Sequence, residues 1–81
     1  MVKGGVLLQT ANKEKRFQLI SVRNSRGWNI QQAVDNLKKE TGIGISVTHL
    51  YLVENKERDP SVKLLKALSN FYNISCDAIL E

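Results

Sequence analysis

The sequence predicts an all-α fold, a compact set of five helices behind a short N-terminal arm, and three observations predict it. Apolar residues recur at helical spacing through the chain from Asn12 onward. Cap-forming residues stand in front of the apolar stretches (Asn29, Ser46, Ser75), and residues that tolerate a left-handed backbone stand behind them (Gly27, Gly42, Asn73). The links are short and no repeat or low-complexity segment interrupts them, which favours helix packed on helix around one core.

Residues 1–11 carry Gly4-Gly5 and no helical period, and read as an arm or tail. The alternation of Val6, Leu8 and Thr10 leaves a short strand open there. The folded domain is expected over 12–81. Helix one spans roughly 12–25: Phe17, Leu19, Ile20 and Val22 form an apolar stripe among Lys13, Lys15, Arg16 and Arg23, a solvated basic face or one that steers a polyanion, and Gly27 supplies the stop. Trp28 reads as an aromatic plug between helices one and two.

Asn29 opens helix two, with Gln32 in capping-box spacing, an inner face of Ala33, Val34 and Leu37, and Gly42 at its end. After the tight link Gly42-Ile43-Gly44-Ile45, Ser46 caps a third helix to about Asn55, where Ile45 and Leu50 have the spacing of a hydrophobic staple. Leu50 and Val53 face inward. That leaves Val47, Thr48, His49, Tyr51, Leu52 and Asn55 on or near the outer side, a set able to meet base edges, thymine methyls and phosphates. A polar loop, Lys56 to Pro60, leads to helix four, with Val62, Leu65, Leu68 and Phe71 or Tyr72 as its apolar stripe and Asn73 as its left-handed cap. Ser75 caps the last helix, with Ile74 and Ile79 as its staple.

Composition narrows the function classes. An 81-residue chain holds one modest core, and an excess of 12 Lys and Arg over 8 Asp and Glu, net +4, suits a polyanionic partner. The single cysteine, Cys76, forms no intrachain disulfide and fits a reducing cytoplasm. No apolar run reaches the roughly 20 residues that span a bilayer, and Lys3 followed by Val6-Leu7-Leu8 is too weak for a secretory signal. One His and one Cys make no zinc site, and no nucleophile with a base and orienting partner is legible, so neither enzyme, metal nor cofactor is expected. Gly42-Ile43-Gly44 lacks the strand and the glycine spacing of a phosphate loop.

Val22-Arg23 with Gly27 after them, then Gly42, then Ser46 through Asn55 with Arg58-Asp59-Pro60-Ser61, resembles the Cro and phage-repressor type of helix-turn-helix family, often called the Xre family. Val53 through Ser61 is similar to that family's Ile-Glu-Asn-Gly-Lys-Arg-Asn-Pro-Ser, and Leu64-Leu65-Lys66-Ala67-Leu68 with Ile74-Ser75 and Ile79-Leu80 matches its closing helices. The likeness covers roughly residues 15–81 and implies a lambda-repressor-like fold. It also implies that the second helix of the motif enters the DNA major groove while the first lies across the backbone.

Carried over by position, the resemblance makes Val47, Thr48, His49 and Tyr51 base-facing, with Leu52 beside them. His49 is left open as a base or phosphate contact, a pH-responsive group or an exposed residue. Asn55, Lys56 and Arg58 fall in the loop that meets phosphates, and Asn29, Gln31 and Gln32 add contacts at the start of helix two. Arg23 with Glu54 is the implied structural ion pair. Phe71, Tyr72, Ile79 and Leu80 are candidate dimer contacts, their other role being core. Two departures stand out. The span from Asn29 to Gly44 is longer than usual by about one helical turn, through a longer helix or an insertion in the turn. Val47 and Leu52 are apolar where many relatives place Gln, Arg or Lys.

The expected function is a sequence-specific DNA-binding regulator, a small repressor of prophage, mobile-element or bacterial origin, acting as a homodimer on double-stranded DNA. The alternative is a protein-interaction module, antitoxin-like or a co-regulator, using the same apolar-rich helix face.

Overall fold

The computed structural model describes residues 15–80, and among them five helices run in chain order: α1 Phe17–Ser25, α2 Ile30–Thr41, α3 Val47–Glu54, α4 Val62–Tyr72 and α5 Cys76–Leu80. The arm expected over 1–11, and the part of helix one placed at 12–14, lie outside the described residues.

Four of the five helices, α2 to α5, start where a side chain satisfies an unpaired amide of the first turn. Asn29 and Gln32 form a reciprocal capping box, Gln32 N donating to Asn29 Oδ1 at 2.8 Å and Asn29 N to Gln32 Oε1 at 2.9 Å. Ser46, Ser61 and Ser75 accept from the amides of His49, Leu64 and Ala78. α1 is the exception. It begins at Phe17 rather than near Asn12 within the described residues, because Arg16 is non-helical (φ −80°, ψ 81°) and turns its amide to Glu54 O at 2.8 Å.

α1 and α3 both end in a Schellman turn. Trp28 N reaches Arg23 O and Gly27 N reaches Asn24 O after α1; Glu57 N reaches Leu52 O and Lys56 N reaches Val53 O after α3. The residue in left-handed conformation is Gly27 (φ 73°) in the first and Lys56 (φ 59°) in the second. α2 stops at Gly42, and Thr41 helps: its hydroxyl donates to Leu37 O and accepts from Ile43 N. Since α2 runs unbroken through Thr41, the extra length between Asn29 and Gly44 is carried by a longer helix.

The main core gathers Leu19, Leu37, Val53, Leu64, Leu68, Phe71, Tyr72 and Ile79, one or more from every helix. A smaller cluster of Ala33, Val34 and Leu50 joins α2 to α3, with Ile45 packed against it where the staple expects it. Trp28 lies against both clusters and also stacks on Phe71 of α4, centroids 5.5 Å apart, so it reaches α4 as well.

Two apolar expectations are corrected. Phe17 is 66% exposed, because it lies about 200° round the helix from buried Leu19. On α4 the buried stripe is Leu64, Leu68, Phe71 and Tyr72, with Val62 exposed and Leu65 only half-buried. Spacing of four and then three from Leu64 keeps the larger residues on one face, and Val62 lies about 200° away from it.

Candidate nucleic-acid interface

α3 is eight residues long and turns Leu50, Val53 and Glu54 into the protein. At 100° per residue, Thr48, Leu52 and Asn55 fall opposite that buried face and Tyr51 to one side of it. Val47, Thr48 and Tyr51 are exposed, Tyr51 by half its surface; His49, Leu52, Asn55 and Lys56 are half-buried; Arg58 is exposed. The ladder of outward groups is therefore mixed: a hydroxyl, a phenol and aliphatic methyls on the helix, and cations in the loop that follows.

Several of these side chains are already engaged. Asn55 Nδ2 donates to Tyr51 O at 2.7 Å, which leaves its carbonyl oxygen for an outside donor. At the start of α2, Gln31 Nε2 donates to Asp35 Oδ1, while the capping box occupies the oxygens of Asn29 and Gln32 and directs no hydrogen bond from their amide nitrogens. All three are exposed, and the amide nitrogens of Asn29 and Gln32 are the groups that suit an anionic oxygen.

His49 points away from the middle of the outer face. With Gly44, Ile45, Ser61 and Lys63 it lines a cavity of about 250 Å³ between the α2–α3 link and the start of α4. Partial burial, and secondarily the charge of Arg58, hold its pKa below the ordinary 6.5, so at neutral pH the imidazole is uncharged and able both to donate and to accept.

Two arginines hold α3 by its C-terminal end. Arg23 presents a fork to Glu54, Nε to Oε2 at 2.8 Å and Nη2 to Oε1 at 3.0 Å, and its Nη1 donates to Trp28 O at 3.0 Å. Glu54 is only 2% exposed. The bond to Glu54 raises the pKa of Arg23, against the opposing effect of burial. A buried carboxylate paired in this way ties α1, α3 and the α1–α2 turn at one point.

The second arginine was missed from sequence. Arg16 reads as part of a solvated basic face, yet it is 4% exposed: Nε donates to Val53 O at 2.9 Å and Nη2 to Asp59 Oδ1 at 2.8 Å. One signal pointed to it, since Arg16 precedes Arg23 by seven residues and would share its face of a continuous helix. Arg26 is a further cation with an unforeseen place, its guanidinium 5.3–5.7 Å from the ring centres of Trp28, Phe71 and Tyr72.

Three of the four dimer candidates take the other role read for them, that of core. Phe71, Tyr72 and Ile79 are buried in the core shared with α1, α2 and α3. Leu80 alone of the four is at the surface, 48% exposed.

Among the described residues no three metal-ligating side chains come together, and no helix is long and apolar enough to cross a membrane. Comparison with curated proteins and with solved structures finds no match. A helix-turn-helix family model does match, over residues 19–79, the stretch that runs from the first buried residue of α1 to the last of α5. The five-helix order, the capped α3 behind a glycine-bearing link and the Arg23–Glu54 tie agree with that match, and this chain belongs to the helix-turn-helix family of Cro/C1 type, Xre-like, whose members are DNA-binding transcription regulators.

Proposed function

We propose that this protein is a sequence-specific repressor that lays α3 in the major groove of an operator and blocks or positions polymerase by occupying it. The observation that carries the reading is the way α3 is held. Its start is capped by Ser46 and stapled by Ile45, its end is gripped by Arg16 and Arg23, and Thr48 and Tyr51 stand outside a rigid backbone. Rigid presentation of a few polar groups is what base readout needs, because each well-aligned base contact contributes about 1–3 kcal/mol of discrimination.

In this reading Thr48 and His49 donate to or accept from base edges, Val47 and Leu52 pack on thymine methyls, and Tyr51 meets a base or phosphate. Asn55, Lys56 and Arg58 hold phosphates on one side of the groove, and Asn29, Gln31 and Gln32 those near the start of α2. So few base contacts call for two copies on a two-fold related site, with half-sites on the order of 34 Å apart. The exposed Leu80 is the remaining candidate for their contact.

Selection of bound duplexes from a random DNA pool tests this directly. Recovery of a two-fold related sequence is expected; replacing Thr48 and Tyr51 with Ala should relax the selected sequence, and replacing Lys56 should weaken binding to all sequences alike. The exposed apolar groups of Val47 and Tyr51 favour one other reading, a protein partner seated on α3. Salt separates the two: DNA affinity falls steeply with salt as counterions are released, whereas an apolar protein interface responds little. A flat salt profile, with no duplex selected, would overturn the repressor reading.

A further inference from the structure

We propose that Arg16 is a positioning residue for base readout: without touching DNA, it sets the angle at which α3 and the following loop are presented. The inference rests on the assignment of α3 as the reading helix.

Arg16 is a buried cation, and its surroundings show what the burial achieves. The side chain reaches Val53 O at 2.9 Å and its own backbone amide reaches Glu54 O at 2.8 Å, so it meets two of the last four carbonyls of α3, at the negative end of the helix dipole. The same guanidinium donates to Asp59, whose side chain is otherwise open to solvent. Asp59 lies in the loop that carries Lys56 and Arg58, and it stands where the family pattern has Asn. One residue thus joins the start of α1, the end of α3 and the loop between α3 and α4.

Leu50 and Val53 seat α3 in the core, and of the polar ties Arg23 alone would hold only Glu54. Arg16 grips the same helix end from a position seven residues earlier, which makes two separate anchors between the α1 segment and α3. Two anchors resist tilt of a helix only eight residues long, whose outward side chains must meet base edges to within a fraction of an ångström. At 4% exposure Arg16 is beyond the reach of a phosphate, so its loss should change alignment and not the number of counterions released.

The test uses the full chain with Arg16→Lys, Arg16→Met and, as a control within the reading face, Thr48→Ala. Lys keeps the charge but its ammonium cannot reproduce the fork that spans Val53 O and Asp59. Circular dichroism reports folding, and fluorescence anisotropy follows binding to the selected duplex and to a scrambled one across a salt series. Folded Arg16→Lys should prefer the selected duplex about tenfold less than the natural chain does, the size of one lost base contact, with an unchanged salt slope. A merely destabilised protein would instead bind both duplexes less in the same proportion.

An unchanged preference in a folded Arg16 variant overturns the proposal. So does a salt slope reduced by about one ion, which would put Arg16 on a phosphate. Unfolding of both variants overturns it too, because Arg16 would then serve the fold and not the alignment. If the natural chain itself does not discriminate between the duplexes, the reading of α3 has failed. If it does, and Thr48→Ala weakens the preference while Arg16→Lys leaves it intact, only the role of Arg16 has failed.

Discussion

Lys56 shows at residue scale how a site and a fold compete for one position. Its φ of 59° is a conformation that costs a residue with a Cβ about 1–2 kcal/mol, and the equivalent turn after α1 uses Gly27. Lys56→Gly should therefore raise stability by about 1 kcal/mol in urea unfolding, while the proposed phosphate contact requires weaker DNA binding and a salt slope reduced by about one. Tyr72 is the opposite case, a buried hydroxyl that makes no hydrogen bond among the described residues. Burial, then the charge of Glu54, push its pKa up to about 12 from 10.0. With the folded value above the unfolded one, the neutral phenol favours the native state fully below pH 10, and that contribution is lost as the pH rises through 12. Tyr72→Phe should gain about 1 kcal/mol at neutral pH and show a smaller loss of stability than the natural chain between those two values, measured by chemical unfolding at each pH.

At the scale of the element, α3 is the short helix whose ends matter most. Eight residues are too few for a stable helix in water, so its form depends on the Ser46 cap, the Ile45 contact and the two arginines at its C-terminal end. Glu54→Gln removes a charge that is 2% exposed and leaves Arg23 without its counterion. The expected loss is about 3 kcal/mol in thermal unfolding, with a drop in DNA affinity although Glu54 faces inward. The N-caps of α2, α3 and α5 were readable from Asn29, Ser46 and Ser75, because capping is local: one side chain and an amide three residues away suffice. Asn73 was readable as the left-handed end of α4, whereas the Ser61 cap at its start was missed. On α4 the sequence placed Leu68, Phe71 and Tyr72 correctly but chose Val62 and Leu65 over Leu64 in the first turns, since all three are apolar and only the neighbours of α4 choose which of them is buried.

At the scale of the whole molecule, the core takes residues from every helix, and this decides what is left for assembly. Phe71, Tyr72 and Ile79 are spent inside it, so a two-fold contact in the proposed dimer falls to surface groups such as Leu80. Leu80→Asp should leave the free energy of unfolding within about 0.5 kcal/mol of the natural chain's, yet lower the share of two-copy complexes on a two-fold related duplex, as read by sedimentation velocity. The helix order, the caps, the inward Leu50 and Val53 and the outward Thr48 and Tyr51 were determined by the sequence alone, because periodicity and capping act within a few residues. What only the tertiary structure decided are the contacts between residues distant in the chain. The burial of Arg16 against Val53 and Asp59, 37 and 43 positions away, the exposure of Phe17 and the placing of Phe71, Tyr72 and Ile79 in the core all depend on which surfaces meet, and that is settled when the helices compete for one apolar interior.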